Sequence, residues 1–227
     1  MPRTGTRPLA GKRIVITRPA GQAGSFASLL EELGAEAVVA PLVEIGPPAD
    51  WAPLDAALGR LGGYHWIIFT SANGARSFAE RLAAAGEAAR AAVPSARVMA
   101  IGPATAQAVE EFLRRRADAV PGKFVAEGIL EMLDGENMRR KRVLIPRAAE
   151  AREILPDTLR ERGAEVEVVH AYRTLPAPQE ASDALRREIA AGRIDMVAFT
   201  SSSTVRSFAR ALGRAFLKEH RGRFRVA

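Results

Sequence analysis

The sequence predicts an α/β protein built from two similar parallel-sheet units. Short β-branched apolar runs alternate with amphipathic helical stretches along the chain. Blocks of sequence recur at a nearly constant offset. Turns rich in Thr, Ser, Asn and Gly follow several strands, where open α/β sheets bind ligands. The 227 residues leave room for one large domain or two small ones, at a prior of roughly 150 residues per domain.

Each element has its own signal. Lys12–Thr17 is a β-branched run between Gly11 and Pro19, the pattern of a buried strand. Over Gly21–Leu33, Phe26, Leu29, Leu30 and Leu33 recur at helical spacing, and Gly34 stops the helix. Ala37–Ile45 is extended, with Pro41 keeping it from a central position. A helix over Trp51–Leu61 leads to a strand at Trp66–Thr70, a helix over Ala75–Ala85 and a strand at Arg97–Ile101. Thr105–Arg116 reads as helix, Ala117–Val120 as a short strand and Glu127–Leu133 as helix. Arg142–Pro146 opens the next strand, and the helix over Ile154–Arg162 ends at Gly163. Val166–Thr174 is extended, Ala181–Ala191 helical, Met196–Thr200 a strand and Thr204–Leu212 a helix; Phe224–Ala227 begins a last strand.

The repeat runs through these elements. Lys12–Arg18 matches Lys141–Arg147, and Gly34–Glu36 matches Gly163–Glu165, both at an offset of 129 residues. Phe69–Ser71 matches Phe199–Ser201, and Arg76–Ala79 matches Arg206–Ala209, at 130; Arg97-Val98 matches Arg225-Val226 at 128. The direct reading is two units in tandem, Lys12–Arg140 and Lys141–Ala227. The second, at 87 residues against 129, lacks a counterpart of Ala100–Ala106 and is expected to be incomplete, as in a fragment.

Composition narrows the function. With 48% hydrophobic and 26% charged residues, neither a disordered tail nor a collagen-like fibre fits. The absence of Cys removes disulfides, thiolate metal sites and a Cys nucleophile together. No apolar run approaches the ~18 residues of a membrane span, and residues 1–10 lack a signal-peptide core, so a cytoplasmic location without membrane attachment is expected. The net charge is +7, but the stretch from Arg206 to the end carries +6 of it, with seven basic residues and Glu219. A basic tail suits nucleic acid or is an ordinary helix face. With only Phe208, Phe216 and Phe224 among its basic residues, core positions explain the aromatics more simply than base stacking.

Three turns have the composition of an anion cradle: Thr17–Gly21, Thr70–Gly74 and Gly102–Thr105. Thr200–Thr204 repeats the second. Helix starts offer unpaired N–H groups and partial positive charge to phosphates or carboxylates. The plainer role is that Ser71, Thr105 and Ser202 only cap helices. No G-x-G-x-x-G follows the first strand, and there is no P-loop, H-E-x-x-H or G-x-S-x-G. His65, His170 and His220 are too scattered in sequence for a known metal spacing. Tyr172, one of two tyrosines, ends an extended segment. It is either a packing residue or a phenol able to donate a proton to a leaving oxygen.

The chain resembles the uroporphyrinogen-III synthase family, from Leu9 onward. The marks are Ile16–Pro19, Ala40–Ile45, Phe69–Gly74, Ala100–Ala106, Ala171–Thr174 and Phe199–Ser203, in order and at family spacing. The resemblance implies two α/β domains joined by a two-stranded linker ladder. Residues 1–38 plus 176–227 would form a discontinuous first domain, truncated because a second Ile-Gly-Pro-x-Thr-Ala loop is missing. Residues 46–166 would form the second domain, with 39–45 and 167–175 as linkers. It implies a lyase of haem biosynthesis that closes hydroxymethylbilane with loss of water and inversion of the last ring, without cofactor or metal. The substrate, a linear polycarboxylate tetrapyrrole, would lie in an interdomain cleft. Tyr172 would assist hydroxyl departure, and Thr70, Ser71, Thr105 and Ser201 would line the cleft. Arg18, Asn73, Gly102 and Thr200 complete the candidate substrate-binding set from the same turns. The expected state is a monomer, with the upstream deaminase as a transient partner and no nucleic acid. The alternative is a non-catalytic tetrapyrrole- or anion-binding homologue.

Overall fold

The computed structural model describes residues 7–86 and 95–227. In chain order the elements are β1 (Arg13–Ile16), α1 (Gly24–Glu32), β2 (Glu36–Val39), β3 (Val43–Gly46), α2 (Ala52–Leu58), β4 (Trp66–Phe69), α3 (Ala72–Ala84), β5 (Arg97–Ala100) and α4 (Pro103–Leu113). There follow α5 (Ala126–Met132), β6 (Arg142–Ala148), α6 (Ile154–Glu161), β7 (Glu165–Pro176), α7 (Gln179–Ala190), β8 (Met196–Ala198), α8 (Ser202–Leu212), α9 (Arg214–Glu219) and β9 (Arg225–Val226). Residues 1–6 of the stretch read as lacking a signal peptide lie outside the described residues. Among the described residues no helix is long and apolar enough to cross a membrane.

The chain divides into two compact units. Unit 1 is Met1–Ile45 with Thr174–Ala227, and unit 2 is Gly46–Arg173. One sheet is ordered β2-β1-β8-β9 and the other β3-β7-β6-β4-β5. The tandem arrangement read from the repeat does not occur. By the repeat offsets, β1 and β2 correspond to β6 and β7, while β4 and β5 correspond to β8 and β9. Each sheet therefore takes half its repeated strands from each copy, and both place them in the same order. The registers agree as well: Ile14 lies opposite Met196, and the equivalent Val143 lies opposite Trp66. Sequence similarity shows that two segments share a local structure. It does not say with which copy each strand pairs.

The cores follow from strands buried on both faces, as parallel sheets require. In unit 1, Val15 and Val197 pack against Leu185, Ile189, Phe208 and Leu212. Ile14 and Ile16 face Ala23 and Leu30 on the other side. In unit 2, Trp66, Ile68, Met99, Val143 and Ile145 meet Ile129, Leu155 and Leu159. The repeat persists in the aromatic pairs. Phe69 and Phe78 stand edge-on at 5.4 Å, and the equivalent Phe199 and Phe208 at 5.1 Å, each pair contributing about 1 kcal/mol beyond its burial. Phe208 is buried and Phe224 lies edge-on to it at 5.9 Å. The phenylalanines of the basic tail are thus packing residues of unit 1.

Several boundaries differ from the sequence reading, each for a local reason. Ala37–Ile45 is two strands, because Pro41 has no N–H to continue a ladder. Unit 1's Ala177 N–H donates to Leu42 O at 3.3 Å just beyond the break. The helix expected over Thr105–Arg116 starts at Pro103, which suits a first turn, and stops where Arg114 turns left-handed at φ 56°. Ala117–Val120 is not a strand. Only Ala119 bridges to Met99, because the Asp118 carboxylate takes the Val98 N–H at 2.6 Å in place of a backbone carbonyl. The strand expected over Met196–Thr200 ends at Ala198.

Candidate functional site

The strands of unit 2 are parallel, so β4, β5, β6 and β7 bring their carboxyl ends to one edge. β4 runs into Thr70 and Ser71. Ser71 is extended and caps α3, its Oγ accepting the Gly74 N–H at 3.0 Å. Gly74 is required here, because a Cβ would stand 2.9 Å from Pro146 O at the end of β6. Asn73, the second residue of α3, is half-buried at the same turn.

Tyr172 reaches this turn through a β-bulge. Arg147 pairs with His170, but Ala148 pairs with Tyr172, so β7 carries one residue more than β6 at that point. Alternation would turn Tyr172 outward after buried Ala171; the bulge turns it inward, 8% exposed. Its hydroxyl lies 3.0 Å from Ser71 Oγ. Burial pushes the phenol above its usual pKa, opposed by its hydrogen bond with Ser71. Tyr172 is therefore a protonated phenol at neutral pH.

The turn from β5 to α4 stands next to β4. Gly102 is the cap residue of α4, with extended backbone and no side chain to offer. The ring of Phe124 covers it so closely that a Cβ would lie 3.1 Å from the ring. Thr105 is buried in the first turn of α4, its N–H donating to Gly102 O at 3.1 Å. The cap at this turn is thus Gly102, not Thr105. A cavity of ≈ 180 Å³ opens at the same edge, walled by Thr70, Ile101, Ala126, Ile145, Arg147 and Arg152 among others.

Unit 1 has its own carboxyl-end turns. Thr17 is buried, its Oγ1 donating to Ala198 O at 3.2 Å. Arg18 Nε donates to Thr200 Oγ1 at 2.7 Å. Ser201, not Ser202, caps α8: its Oγ accepts the Thr204 N–H at 3.3 Å. Ser201 and Ser71 are thus equivalent caps on the two copies. A cavity of ≈ 280 Å³ lies at the opposite, amino-terminal end of the unit 1 strands. It holds none of the candidate residues, and its Lys12 and Asp195 pair with each other at 2.8 Å. Among the described residues no group of three or more His, Cys, Asp or Glu could hold a metal ion.

The family model described as "Uroporphyrinogen-III synthase HemD" matches residues 24–227. The chain belongs to the uroporphyrinogen-III synthase family. It is 36% identical over 203 residues to the uroporphyrinogen-III synthase of Synechococcus elongatus, covering 89% of this chain and 75% of that protein. It is 29% identical over 214 residues to the enzyme of Chlorobaculum parvum, covering 92% of this chain and 82% of that protein. Among solved structures, a mutant uroporphyrinogen III synthase from the extremely thermophilic bacterium Thermus thermophilus superimposes with a TM-score of 0.67 at 21% identity, covering 95% of this chain and 84% of the other. That structure shares the two-domain α/β fold of the synthase family.

Within this family framework, the candidate residues fall into two sets. Thr70, Ser71, Asn73, Gly102, Thr105 and Tyr172 share the carboxyl edge of unit 2. Arg18, Thr200 and Ser201 share that of unit 1. Two residues at these edges were not singled out in the sequence, Arg147 and Phe124. Arg147 had a signal, as the repeat partner of Arg18. Phe124 had none, because nothing in an isolated stretch shows that its ring covers Gly102.

Proposed function

We propose that the chain acts as a uroporphyrinogen-III synthase: it closes hydroxymethylbilane with loss of water and inversion of ring D. The observation that carries this reading is the relay Gly74 N–H to Ser71 Oγ to Tyr172 hydroxyl. Ser71 accepts the helix N–H on one lone pair and keeps its own proton, which can go to the phenol oxygen. The Tyr172 proton is then free to point at a departing hydroxyl. A phenol held protonated by burial suits that role. Loss of the hydroxyl leaves an azafulvene cation, attack at the substituted ring carbon gives a spiro intermediate, and rearrangement inverts the ring. Most of the rate gain in such a closure comes from holding the reacting ends together. The turns at Thr70–Gly74 and Gly102–Thr105, and those holding Arg18, Thr200 and Ser201, would bind substrate carboxylates through N–H and hydroxyl donors. Residues 1–38 with 176–227, and 46–166, would be the working domains. The protein would act as a cytoplasmic monomer, taking its substrate from the upstream deaminase.

No metal or cofactor takes part in this reading, which sets its test. Formation of the type III isomer from hydroxymethylbilane is followed after exhaustive chelation, with nothing added back. Undiminished turnover is expected; loss of turnover that returns with a metal ion would refute the reading. The alternative of a non-catalytic binding homologue expects tight uroporphyrin binding with no turnover at all.

A further inference from the structure

The cavity of unit 2 contains a charge that the proposed chemistry does not use. Arg147, at the carboxyl end of β6, is only 5% exposed. Its Nη1 donates to Arg152 O at 2.8 Å and its Nη2 to the Glu153 carboxylate, which ties down the loop between β6 and α6. Its Nε is buried with no hydrogen-bond partner among the described residues. Buried donors are nearly always paired, and more so on a cation.

The repeat indicates what is missing. Arg147 corresponds to Arg18 at the 129-residue offset, and Thr70 to Thr200 at 130. In unit 1 this pair is closed, Arg18 Nε donating to Thr200 Oγ1 at 2.7 Å. The strands that carry the pair, β1 with β8 and β6 with β4, run in the same register. In unit 2 the bond is not made. Arg147 and Thr70 both line the ≈ 180 Å³ cavity, whose other walls include the apolar Ile101, Ala126, Ile145 and Leu155. Arg152 also lines it, its side chain 69% exposed and 3.6 Å from Glu127.

We propose that this cavity is a carboxylate subsite. An anionic oxygen bridges Arg147 Nε and Thr70 Oγ1, taking the place that the Thr200 hydroxyl holds against Arg18. The apolar walls accept the short alkyl stem of a carboxymethyl or carboxyethyl arm, and Arg152 meets the charge at the mouth. The identity of the ligand, a carboxylate arm of a tetrapyrrole, rests on the synthase reading. The open Arg–Thr pair stands apart from it.

The test is a fluorescence-anisotropy titration of uroporphyrin III with the full chain, beside its fully esterified form. Tighter binding of the free acid is expected. Arg147→Gln is expected to weaken it roughly tenfold, the loss of one charge-assisted contact. Because Arg147 also ties a loop, Thr70→Val is the second variant; it keeps the side-chain shape and is likewise expected to weaken binding roughly tenfold, because the lost hydrogen bond is to an anionic oxygen. Arg116→Gln, which removes an exposed charge elsewhere on unit 2, is expected to change nothing. Unchanged affinity in both Arg147→Gln and Thr70→Val would overturn the subsite and leave Arg147 as a loop tie, even with full synthase turnover. Equal binding of acid and ester would overturn it too. Binding that depends on Arg147 and Thr70 in a chain without turnover would uphold the subsite and defeat the synthase reading.

Discussion

Ser71 and Tyr172 share one hydrogen bond, yet removing each has a different consequence for the fold. Ser71→Ala also strips the cap from α3, a loss of about 1 kcal/mol. Tyr172→Phe keeps the ring and loses only a hydroxyl contact, so its thermal melt should shift less. Turnover reverses the order: Tyr172→Phe is expected to slow it by roughly 100-fold, the scale of general-acid assistance. Unchanged turnover with a lowered melting temperature would leave Tyr172 a packing residue. Tyr64 supplies a separate test in alkali. Burial first, then its bond to Glu167, pushes its phenol up to about 12. Stability tied to Tyr64 is full below pH 10 and lost as the pH climbs towards 12, because the unfolded chain ionises first. Tyr64→Phe should flatten that limb in melts from pH 9 to 12. Tyr172 was legible as one of two tyrosines ending an extended run. Its inward direction was not, because the bulge at Ala171 appears only when β7 is set against β6.

At the scale of elements, close approaches and ion pairs decide what can change. Gly74 lets α3 start against β6, and Gly74→Ala would drive a methyl into Pro146 O. A cost of about 2 kcal/mol is expected, read from chemical denaturation, with the Ser71–Tyr172 contact disturbed as α3 shifts. In unit 1, Glu188 near the end of α7 pairs with Arg193 and reaches Arg13 of β1 at 2.9 Å. The hydrogen bonds from Arg193 and then Arg13 hold its carboxyl down from 4.5 to about 2. Stability from this group is full above pH 4.5 and fades as the pH falls to 2. Glu188→Gln should remove that part of the acid slope. Most strands and helices were legible from β-branched runs and helical spacing. The failures, at Ala37–Ile45 and Ala117–Val120, lie where one residue intervenes: Pro41 without its N–H, and Asp118 with a side chain that takes a ladder donor.

At the scale of the whole molecule, the repeat was plain in the sequence and its pairing was not. Matching blocks such as Lys12–Arg18 and Lys141–Arg147 fixed which strands are alike. Only the sheets show that β1 pairs with β8 and β6 with β4, so that each unit joins half of each copy. That interleaving makes Arg18 with Thr200 the counterpart of Arg147 with Thr70. Equivalent strands therefore end in one closed and one open pair, a difference that sequence identity conceals. The synthase reading is tested most plainly by the isomer composition of the porphyrin formed when this chain is incubated with hydroxymethylbilane and the product is oxidised and separated. The type III isomer is expected to predominate and to fall in the Tyr172→Phe variant. Type I isomer alone, as in a buffer blank, would contradict it.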